Sequence, residues 1–271
     1  MNGASRDALA AARERLDALT DSTSVDAARL GEELAAVTAL LDREVSLRRV
    51  LTDPAQSGEA KADLVQRLLG SQVGGETADL VSGMVRARWS QTRDLVDAVE
   101  ELANTADLTA AQRRGTLDAV EDELFRFGRI IASSTGLRAA LTDRKATATA
   151  KSELLGTLLG GRADAVTERL VTRLVTVPRG RSLEAGLDSL SKLAADRRSR
   201  MVAVVTSAVP LSDQQKQRLG QALAALYGHQ MHLNLDVDPE VVGGIRVQIG
   251  DDVINGSIAD RIEDAARRLA G

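Results

Sequence analysis

Hydrophobic residues recur at steps of three and four through the first 200 positions, which is the spacing of amphipathic helices. The pattern predicts helices at residues 6–19, 25–45, 47–51, 59–69, 76–88 and 92–106. Ser5 is expected to cap the first helix, because a serine side chain accepts hydrogen bonds from free backbone N–H groups. Gly70 and the pair Gly74-Gly75 are expected to stop helices. The first part of the chain is therefore predicted to be helical.

The helical pattern starts again 90 residues further along the chain. The segment Leu47-Arg48-Arg49-Val50-Leu51-Thr52-Asp53 is echoed by Leu137-Arg138-Ala139-Ala140-Leu141-Thr142-Asp143. The same offset aligns Glu33-Leu34 with Glu123-Leu124, Ala60-Lys61 with Ala150-Lys151, Leu64 with Leu154, and Leu68-Leu69-Gly70 with Leu158-Leu159-Gly160. A two-residue deletion then aligns Arg93 and Leu95 with Arg181 and Leu183. We interpret these matches as a duplicated helical bundle, with copies at 25–107 and 110–198.

The second copy is expected to open at a seam near residue 109. Thr109 and Gln112 have the spacing of a capping box, which would begin a long helix through Ile131. Further helices are predicted at 147–159, 164–177 and 183–197, the last two separated by Pro178-Arg179-Gly180. Only the first copy would then have a leading helix, at 6–19. Leu64 and Leu154 are expected to be equivalent buried core residues.

The hydrophobic period changes after residue 200. Met201 to Thr206 is a continuous apolar run, typical of a strand that is covered on both faces. Ser212 and Gln215 have the spacing of another capping box, and residues 230–237 alternate between apolar and polar. A strand, a helix and a second strand in this order predict a parallel pair joined by a right-handed crossover.

A regular alternation follows, in which Ile245, Val247 and Ile249 alternate with polar residues. Gly250-Asp251-Asp252 is typical of a turn, and Val253-Ile254 would begin a short returning strand. Gly243-Gly244 indicates a bulge or a sharp entry, because glycine adopts positive φ without steric cost. Ser257 is expected to cap a last helix, whose apolar positions are Ile258, Ile262, Ala265 and Leu269. The predicted fold class is mainly α: two tandem helical bundles followed by a small α/β module.

Composition narrows the classes of function that fit this architecture. Aromatic residues are only 1% of the 271, so the core must be aliphatic, which suits packed helices better than a pocket for an aromatic ligand. The net charge of −4 and the pI of about 5.4 give no basic surface for nucleic acid. The chain has no cysteine, which excludes disulfides and thiolate chemistry. No apolar run reaches the ~20 residues of a membrane helix, so membrane association is expected only through partners.

No catalytic, cofactor-binding or metal-binding residue is expected. His229 and His232 are the only histidines, and a spacing of three on a strand would point them to opposite faces, which favours surface imidazoles over a metal site. The glycines match neither G-x-G-x-x-G nor a P-loop, so roles in a bulge and a turn are favoured over nucleotide binding. No serine lies in a nucleophile elbow. Trp89 is more typical of partial core than of an interface anchor.

The segment from Asp238 onward resembles the C-terminal signature of the delta subunit of F-type ATP synthases, called the oligomycin-sensitivity-conferring protein in mitochondria. The matching elements are Asp238, Val241-Val242, Gly243-Gly244, the strand Ile245 to Ile249, Gly250-Asp251, Gly256-Ser257 and Arg261. Asn255 stands where the family usually has Asp, and asparagine also fits turn geometry. The resemblance is specific over roughly the last 70 residues and weaker before them. The two bundle copies resemble the extended actinobacterial form of the subunit.

The resemblance implies a non-catalytic stator subunit of the peripheral stalk, which holds the catalytic α/β head against rotor torque during ATP synthesis. It implies that the helical bundle takes the N-terminal helices of α subunits in surface grooves, and that the C-terminal module meets membrane-anchored b-type subunits. No cofactor, nucleic acid, small-molecule substrate or direct membrane insertion is expected, and the chain would lie at the cytoplasmic face of the cell membrane through its partners. The predicted domains are 1–107, 108–199 and 200–271. The alternatives are a helical-repeat adaptor with a different partner, and an enzyme that uses the α/β module for a nucleotide.

Overall fold

The computed structural model describes residues 3–21, 25–199, 202–227, 231–239, 241, 244–250 and 252–255. By its internal contacts the chain divides into two compact units, Met1–Ala194 and Ala195–Gly271. The described residues are mainly helical, with a small four-stranded sheet toward the C-terminus, which confirms the predicted fold class. Three domains at 1–107, 108–199 and 200–271 stay a prediction.

The first unit is built from helices. The first six are α1 (Gly3–Asp21), α2 (Ala27–Arg43), α3 (Val45–Thr52), α4 (Gly58–Leu69), α5 (Gly75–Arg86) and α6 (Thr92–Arg113). They are followed by α7 (Leu117–Ser133), α8 (Thr135–Thr142), α9 (Ala148–Leu159), α10 (Ala165–Thr176) and α11 (Leu183–Ser199). We call α2 to α6 the first copy and α7 to α11 the second copy.

The two copies repeat each other in their helix boundaries. Helices α7 to α10 begin and end 90 residues after α2 to α5, at all eight boundaries. The last helices of the two copies, α6 and α11, align with an offset of 88. At this offset the buried residues of one helix match buried residues of the other: Leu95, Val99, Leu102 and Ala106 of α6 match Leu183, Leu187, Leu190 and Ala194 of α11. These alignments confirm the duplicated bundle and the two-residue deletion before its last helix.

One carboxylate contact repeats along with the helices. Glu33 in α2 accepts hydrogen bonds from the backbone N–H of Gly74 at 2.9 Å and from Thr77 Oγ1 at 2.5 Å. Ninety residues later, Glu123 in α7 accepts from the backbone N–H of Asp164 at 3.0 Å and from Thr167 Oγ1 at 2.5 Å. Each carboxylate lies at a helix N-terminus, where backbone N–H groups lack partners within the helix. The same contact therefore joins α2 with α5 in the first copy and α7 with α10 in the second copy.

Leu64 and Leu154 occupy equivalent positions on α4 and α9, but the prediction that they are buried core residues is wrong. Both side chains are half-buried. The next residues, Val65 and Leu155, are 1% and 0% exposed and face the core instead. The reason is that the buried stripe of α4 runs through Ala62, Val65 and Leu69, at steps of three and four, and Leu64 lies beside that stripe.

The predicted capping box at Thr109 and Gln112 is wrong, because α6 does not end near residue 106 but runs to Arg113. Thr109 lies inside the helix, and its Oγ1 donates to the carbonyl oxygen of Thr105 at 2.8 Å. The chain turns at Gly115, where φ is 73°, and α7 begins at Leu117. A 22-residue helix therefore runs across the predicted boundary between residues 107 and 108.

Helix α1 closes the core of the first copy by packing on α5 and α6. Ser5 does not cap α1 as predicted; it is buried within the helix and donates to Asp94 Oδ2 at 2.7 Å. The same hydroxyl accepts from the backbone N–H of Ser90 at 2.8 Å, in the connection before α6. Trp89 of that connection is buried, and its Nε1 donates to the carbonyl oxygen of Met84 at 2.8 Å. Trp89 is thus part of the core, the role that the sequence favoured.

The second unit contains β1 (Val202–Ser207), α12 (Asp213–Tyr227), β2 (His232–Val237), β3 (Ile245–Ile249) and β4 (Asp252–Asn255). The strand order is β2-β1-β3-β4, with β1 and β2 parallel as the crossover predicted, and β3 antiparallel to both of its neighbours. The buried residues Ala203, Val205, Val247 and Ile249 pack with Leu223 of α12. Val204 points to the opposite face and is 36% exposed, so the expectation of a strand covered on both faces is wrong.

Two local predictions for this unit are confirmed. The capping box is reciprocal, since Gln215 N–H donates to Ser212 Oγ at 3.3 Å and Ser212 N–H donates to Gln215 Oε1 at 2.9 Å. Gly244 has a φ of 79°, as a sharp entry into β3 requires. The last predicted helix, with Ser257, Ile258, Ile262, Ala265 and Leu269, lies outside the described residues, as do Gly243 and His229.

Candidate functional site

Helix α6 belongs to both copies of the bundle. As the last helix of the first copy, it packs against α1 and α2. It also occupies the place that α1 has in the first copy, because 90 residues after Ala8, Leu9, Ala12, Leu16 and Thr20 stand Ala98, Val99, Leu102, Ala106 and Ala110, all buried. Its contact with α10 corresponds to that of α1 with α5. The expectation that only the first copy has a leading helix is therefore wrong, since α6 is the leading helix of the second.

Buried ion pairs hold the second copy to the shared helix. Asp107 of α6 has no exposed side-chain surface and lies 3.0 Å from Arg169 Nη2 and 2.9 Å from Arg173 Nη2, both on α10. Arg173 also donates to Asn104 Oδ1 at 2.9 Å. A buried carboxylate needs such paired cations, because its charge loses the solvation of water. The contact fixes α10 along the C-terminal half of α6.

A groove of about 320 Å³ lies where α6, α10 and α11 meet. Its apolar lining comes from Leu170 and Leu174 of α10 and from Leu190 and Leu193 of α11. Gly186 of α11 also lines it, and there α11 comes closest to α10: a Cβ on Gly186 would lie 2.2 Å from Leu174 Cδ1. In the first copy, the corresponding space between α5 and α6 is covered by α1 and its buried apolar side chains. We call this open space the second-copy groove.

Charged side chains surround the second-copy groove. Arg93, Asp97 and Glu101 of α6 contribute to its lining on one side, and Arg181 does so beside α11. Arg93 and Arg181 are 56% and 37% exposed. Leucines within a rim of both charge signs suit an amphipathic segment, whose apolar side chains enter the groove while its polar face meets the rim. The arrangement fits binding of a polypeptide helix.

The described residues contain no group of three or more His, Cys, Asp or Glu side chains placed to hold a metal ion. Of the two histidines weighed from the sequence, His232 begins β2, and His229 lies outside the described residues. Within the described part of the chain, no helix combines the length and the hydropathy needed to cross a bilayer.

The sequence pattern marked no residue of this groove as a binding residue, although Arg93, Arg179 and Arg181 stood out for other reasons. Its leucines have the same helical spacing as core leucines, and the pattern alone cannot tell a residue under a neighbouring helix from one beside an open space. One signal was present, however. The two-residue deletion before Leu183 lies in the connection between α10 and α11, the place where the second copy departs from the first.

The sheet of the second unit carries exposed aliphatic side chains. Leu235 and Val237 of β2 and Ile254 of β4 are 38%, 46% and 38% exposed. Their strand partners are Val205, Ser207 and Val247, so they lie on the face that also carries α12. They lie on the two edge strands of the sheet, β2 and β4. Exposed apolar side chains at a sheet edge can contact another protein.

A family model described as ATP synthase delta (OSCP) subunit matches residues 105–269. The match begins inside α6 and extends over the second copy and the sheet, which is consistent with α6 being the leading helix of that copy. The ATP synthase subunit delta of Streptomyces coelicolor is 81% identical over 270 residues, covering 100% of this chain and 98% of its own. That of Streptomyces griseus is 79% identical and that of Thermobifida fusca 49% identical, each covering 100% of both chains. The chain therefore belongs to the ATP synthase delta (OSCP) subunit family, the peripheral-stalk subunits of F-type ATP synthases.

Proposed function

We propose that the second-copy groove holds the N-terminal helix of an α subunit from the catalytic head. The observation that carries this proposal is the space of about 320 Å³ between α6, α10 and α11, where the half-buried Leu193 lies beside Leu170, Leu174 and Leu190, which are 1%, 6% and 4% exposed. Apolar residues at helical spacing would enter it. The rim charges already pair within the chain, Asp97 with Arg179 and Arg181 with Glu100, and would lie beside the polar face of the incoming helix. No catalytic residue and no cofactor take part in this binding.

The contrast between the copies supports the second copy as the binding site. In the first copy the corresponding space is covered by α1, which is held there by the hydrogen bond from Ser5 to Asp94 and by the pair between Arg13 and Glu101. A partner helix would have to displace α1 to bind there. In the second copy α6 stands in the place of α1, and a space of about 320 Å³ remains between α6, α10 and α11, so side chains of a partner helix could enter it without displacing a helix of the bundle.

The other end of the chain is proposed to meet the membrane-anchored b-type subunits. The exposed aliphatic residues Leu235, Val237 and Ile254 are the candidate contact on the sheet. With both contacts made, the chain would join the catalytic head to the membrane sector as a non-catalytic stator and resist rotor torque during ATP synthesis. It would then lie peripherally at the cytoplasmic face of the cell membrane, held there by its partners.

The test is a titration of the full chain with a fluorescently labelled peptide that carries the N-terminal residues of the α subunit from the same organism. Fluorescence anisotropy should report saturable binding. Leu193→Glu places a charge among the leucines of the groove and should weaken binding at least about tenfold, since an unpaired charge would be desolvated on binding.

Phe125→Glu is the matched control, because Phe125 lies on α7 outside the groove and is 58% exposed. It should leave the affinity unchanged. Equal losses in the two variants, or no binding by the unchanged chain, would contradict the proposed site. Binding that Leu193→Glu leaves intact would move the α-subunit contact to another face of the bundle.

A further inference from the structure

Arg179 has the backbone conformation that side chains usually avoid. It lies in the connection between α10 and α11 and has a φ of 51°, the one positive φ at a residue other than glycine among the described residues. The left-handed region brings Cβ close to the backbone, so such a residue persists only where its surroundings fix it. The following residue, Gly180, also has a positive φ of 80° and completes the turn.

The side chain of Arg179 supplies the contacts that fix it. It is only 2% exposed and lies against three carboxylates. Nη1 is 2.7 Å from Glu100 Oε2, Nη2 is 2.5 Å from Asp97 Oδ1, and Nε is 3.4 Å from Asp42 Oδ1. Arg181 pairs with Glu100 as well. Asp42 belongs to α2, and Asp97 and Glu100 belong to the N-terminal half of α6.

Asp42 belongs to the first copy alone, and Asp97 and Glu100 belong to the shared helix α6, whereas Arg179 belongs to the second copy. The corresponding connection of the first copy, between α5 and α6, carries Trp89, whose ring is buried in its own bundle. In the second copy the aligned buried positions lie two residues closer in sequence, but α11 begins later in its register, so the connection has six residues, 177–182, against five, 87–91. It carries Arg179, whose Nε lies 3.4 Å from Asp42 Oδ1 of α2. The change converts a contact within one bundle into a contact between bundles.

The two copies are thus held together at both ends of α6. Asp107 binds α10 near the C-terminal end, and Asp97 and Glu100 bind the connection after α10 near the N-terminal end. We propose that Arg179 is a lock that makes the two copies open as one cooperative unit rather than one after the other. In a stator this would give one stiff body in place of two bundles able to shift against each other.

The proposal is tested by hydrogen exchange of the full chain in increasing urea, followed by mass spectrometry of peptides from α3 to α5 and from α8 to α10. In the unchanged chain both sets of peptides should lose protection at the same urea concentration, because local units that are coupled open together. In Arg179→Met, which keeps much of the volume and loses the charge, α8 to α10 should lose protection at lower urea than α3 to α5. Copies that already open separately in the unchanged chain would overturn the proposal.

Two further variants separate the lock from other effects. Arg179→Gly relieves the strain of the positive φ but removes the side chain, so it should uncouple the two copies as Arg179→Met does. If Arg179→Gly is more stable and the copies still open together, only backbone strain matters at this position. Arg126→Met removes an exposed pair with Asp122 on α7 and should leave the copies coupled. Should Arg179→Met fail to fold, Arg179→Lys keeps the charge without the fork and should show a smaller separation of the two openings. If both copies still lose protection at the same urea concentration in Arg179→Lys and in Arg179→Gly, the proposed lock is wrong.

Discussion

At the scale of single residues, the first copy depends on a carboxylate that is half hidden from water. Burial acts to raise the pKa of Glu33, but the hydrogen bonds from Thr77, Arg29 and the Gly74 N–H outweigh it, and the pKa of Glu33 is lowered from its ordinary value. A carboxyl whose pKa is lower in the folded state stabilises the fold at pH values above its unfolded pKa, and loses this effect as the pH falls through the folded value. The contact between α2 and α5 should therefore weaken in acid.

Glu33→Gln should lower the free energy of unfolding by about 1 kcal/mol at pH 7, since hydrogen bonds to a charged group are stronger than those to a neutral one. The ordinary pKa of a glutamate is 4.5, and that of Glu33 in the folded chain is lower. At pH values well below both, the free energies of unfolding of Glu33→Gln and of the unchanged chain should be nearly equal, because Glu33 is then itself neutral. Urea unfolding at the two pH values measures both numbers. Glu44→Gln, at an exposed side chain, is the control and should show little change at either pH. If Glu33→Gln lowers the free energy of unfolding equally at both pH values, the lost stability comes from packing and not from the charge of Glu33.

Gly244 supplies the second prediction at this scale. Its φ of 79° is strained for any residue with a Cβ, so Gly244→Ala should destabilise the second unit by about 1–2 kcal/mol. Gly75→Ala is the control, since nothing lies within 4 Å of the added Cβ and the helix gains a favourable residue. A lower melting temperature for Gly75→Ala than for Gly244→Ala would contradict the expected strain at Gly244.

At the scale of elements, sequence periodicity predicted most helices and strands, because their buried residues keep a steady spacing. It failed at α6, where Thr109 and Gln112 imitate a helix start, although the apolar spacing continues through Ala106 and Ala110 to hold two bundles at once. A local cap motif cannot show that a helix has neighbours on both sides. The sequence pattern also could not show the second-copy groove or the role of Arg179, since both arise from contacts that α11 and the connection before it make with helices far away in the sequence.

The width of the groove depends on one close approach between elements. Because a Cβ on Gly186 would lie 2.2 Å from Leu174 Cδ1, Gly186→Ala should push α11 away from α10 or turn Leu174 into the groove. We expect a loss of about 1–3 kcal/mol in stability, the usual cost of overpacking, together with weaker binding of the α-subunit peptide. Gly128→Ala, in α7 with open space around it, should have neither effect. A Gly186→Ala chain that binds the peptide with unchanged affinity would separate the groove from the binding site.

At the scale of the whole molecule, the change of period near residue 200 and the division into two compact units predict that the helical part folds without the sheet. A chain of residues 1–199 should be soluble and helical and should bind the α-subunit peptide. It should not bind the b-type subunits, because the proposed contact lies on the sheet. Co-sedimentation with each partner separately measures both outcomes. Normal binding of b-type subunits by residues 1–199 would overturn this division of labour while leaving the family membership intact.

The sharing of α6 also bears on how a chain of this kind can lengthen or shorten. Leu16 and Ala106 stand at equivalent places on the leading helices of the two copies. Removing residues 17–106 would therefore join residues 3–16 of α1 to residues 107–113 of α6 in unbroken helical register. The product would keep one complete six-helix bundle and the sheet, within about 180 residues. A cut at the expected boundary after residue 107 would instead divide α6 and leave both bundles incomplete. In such a fold a bundle is added or removed as a segment of 90 residues, which can begin at any residue of the leading helix, and not as a segment that runs from one loop to another.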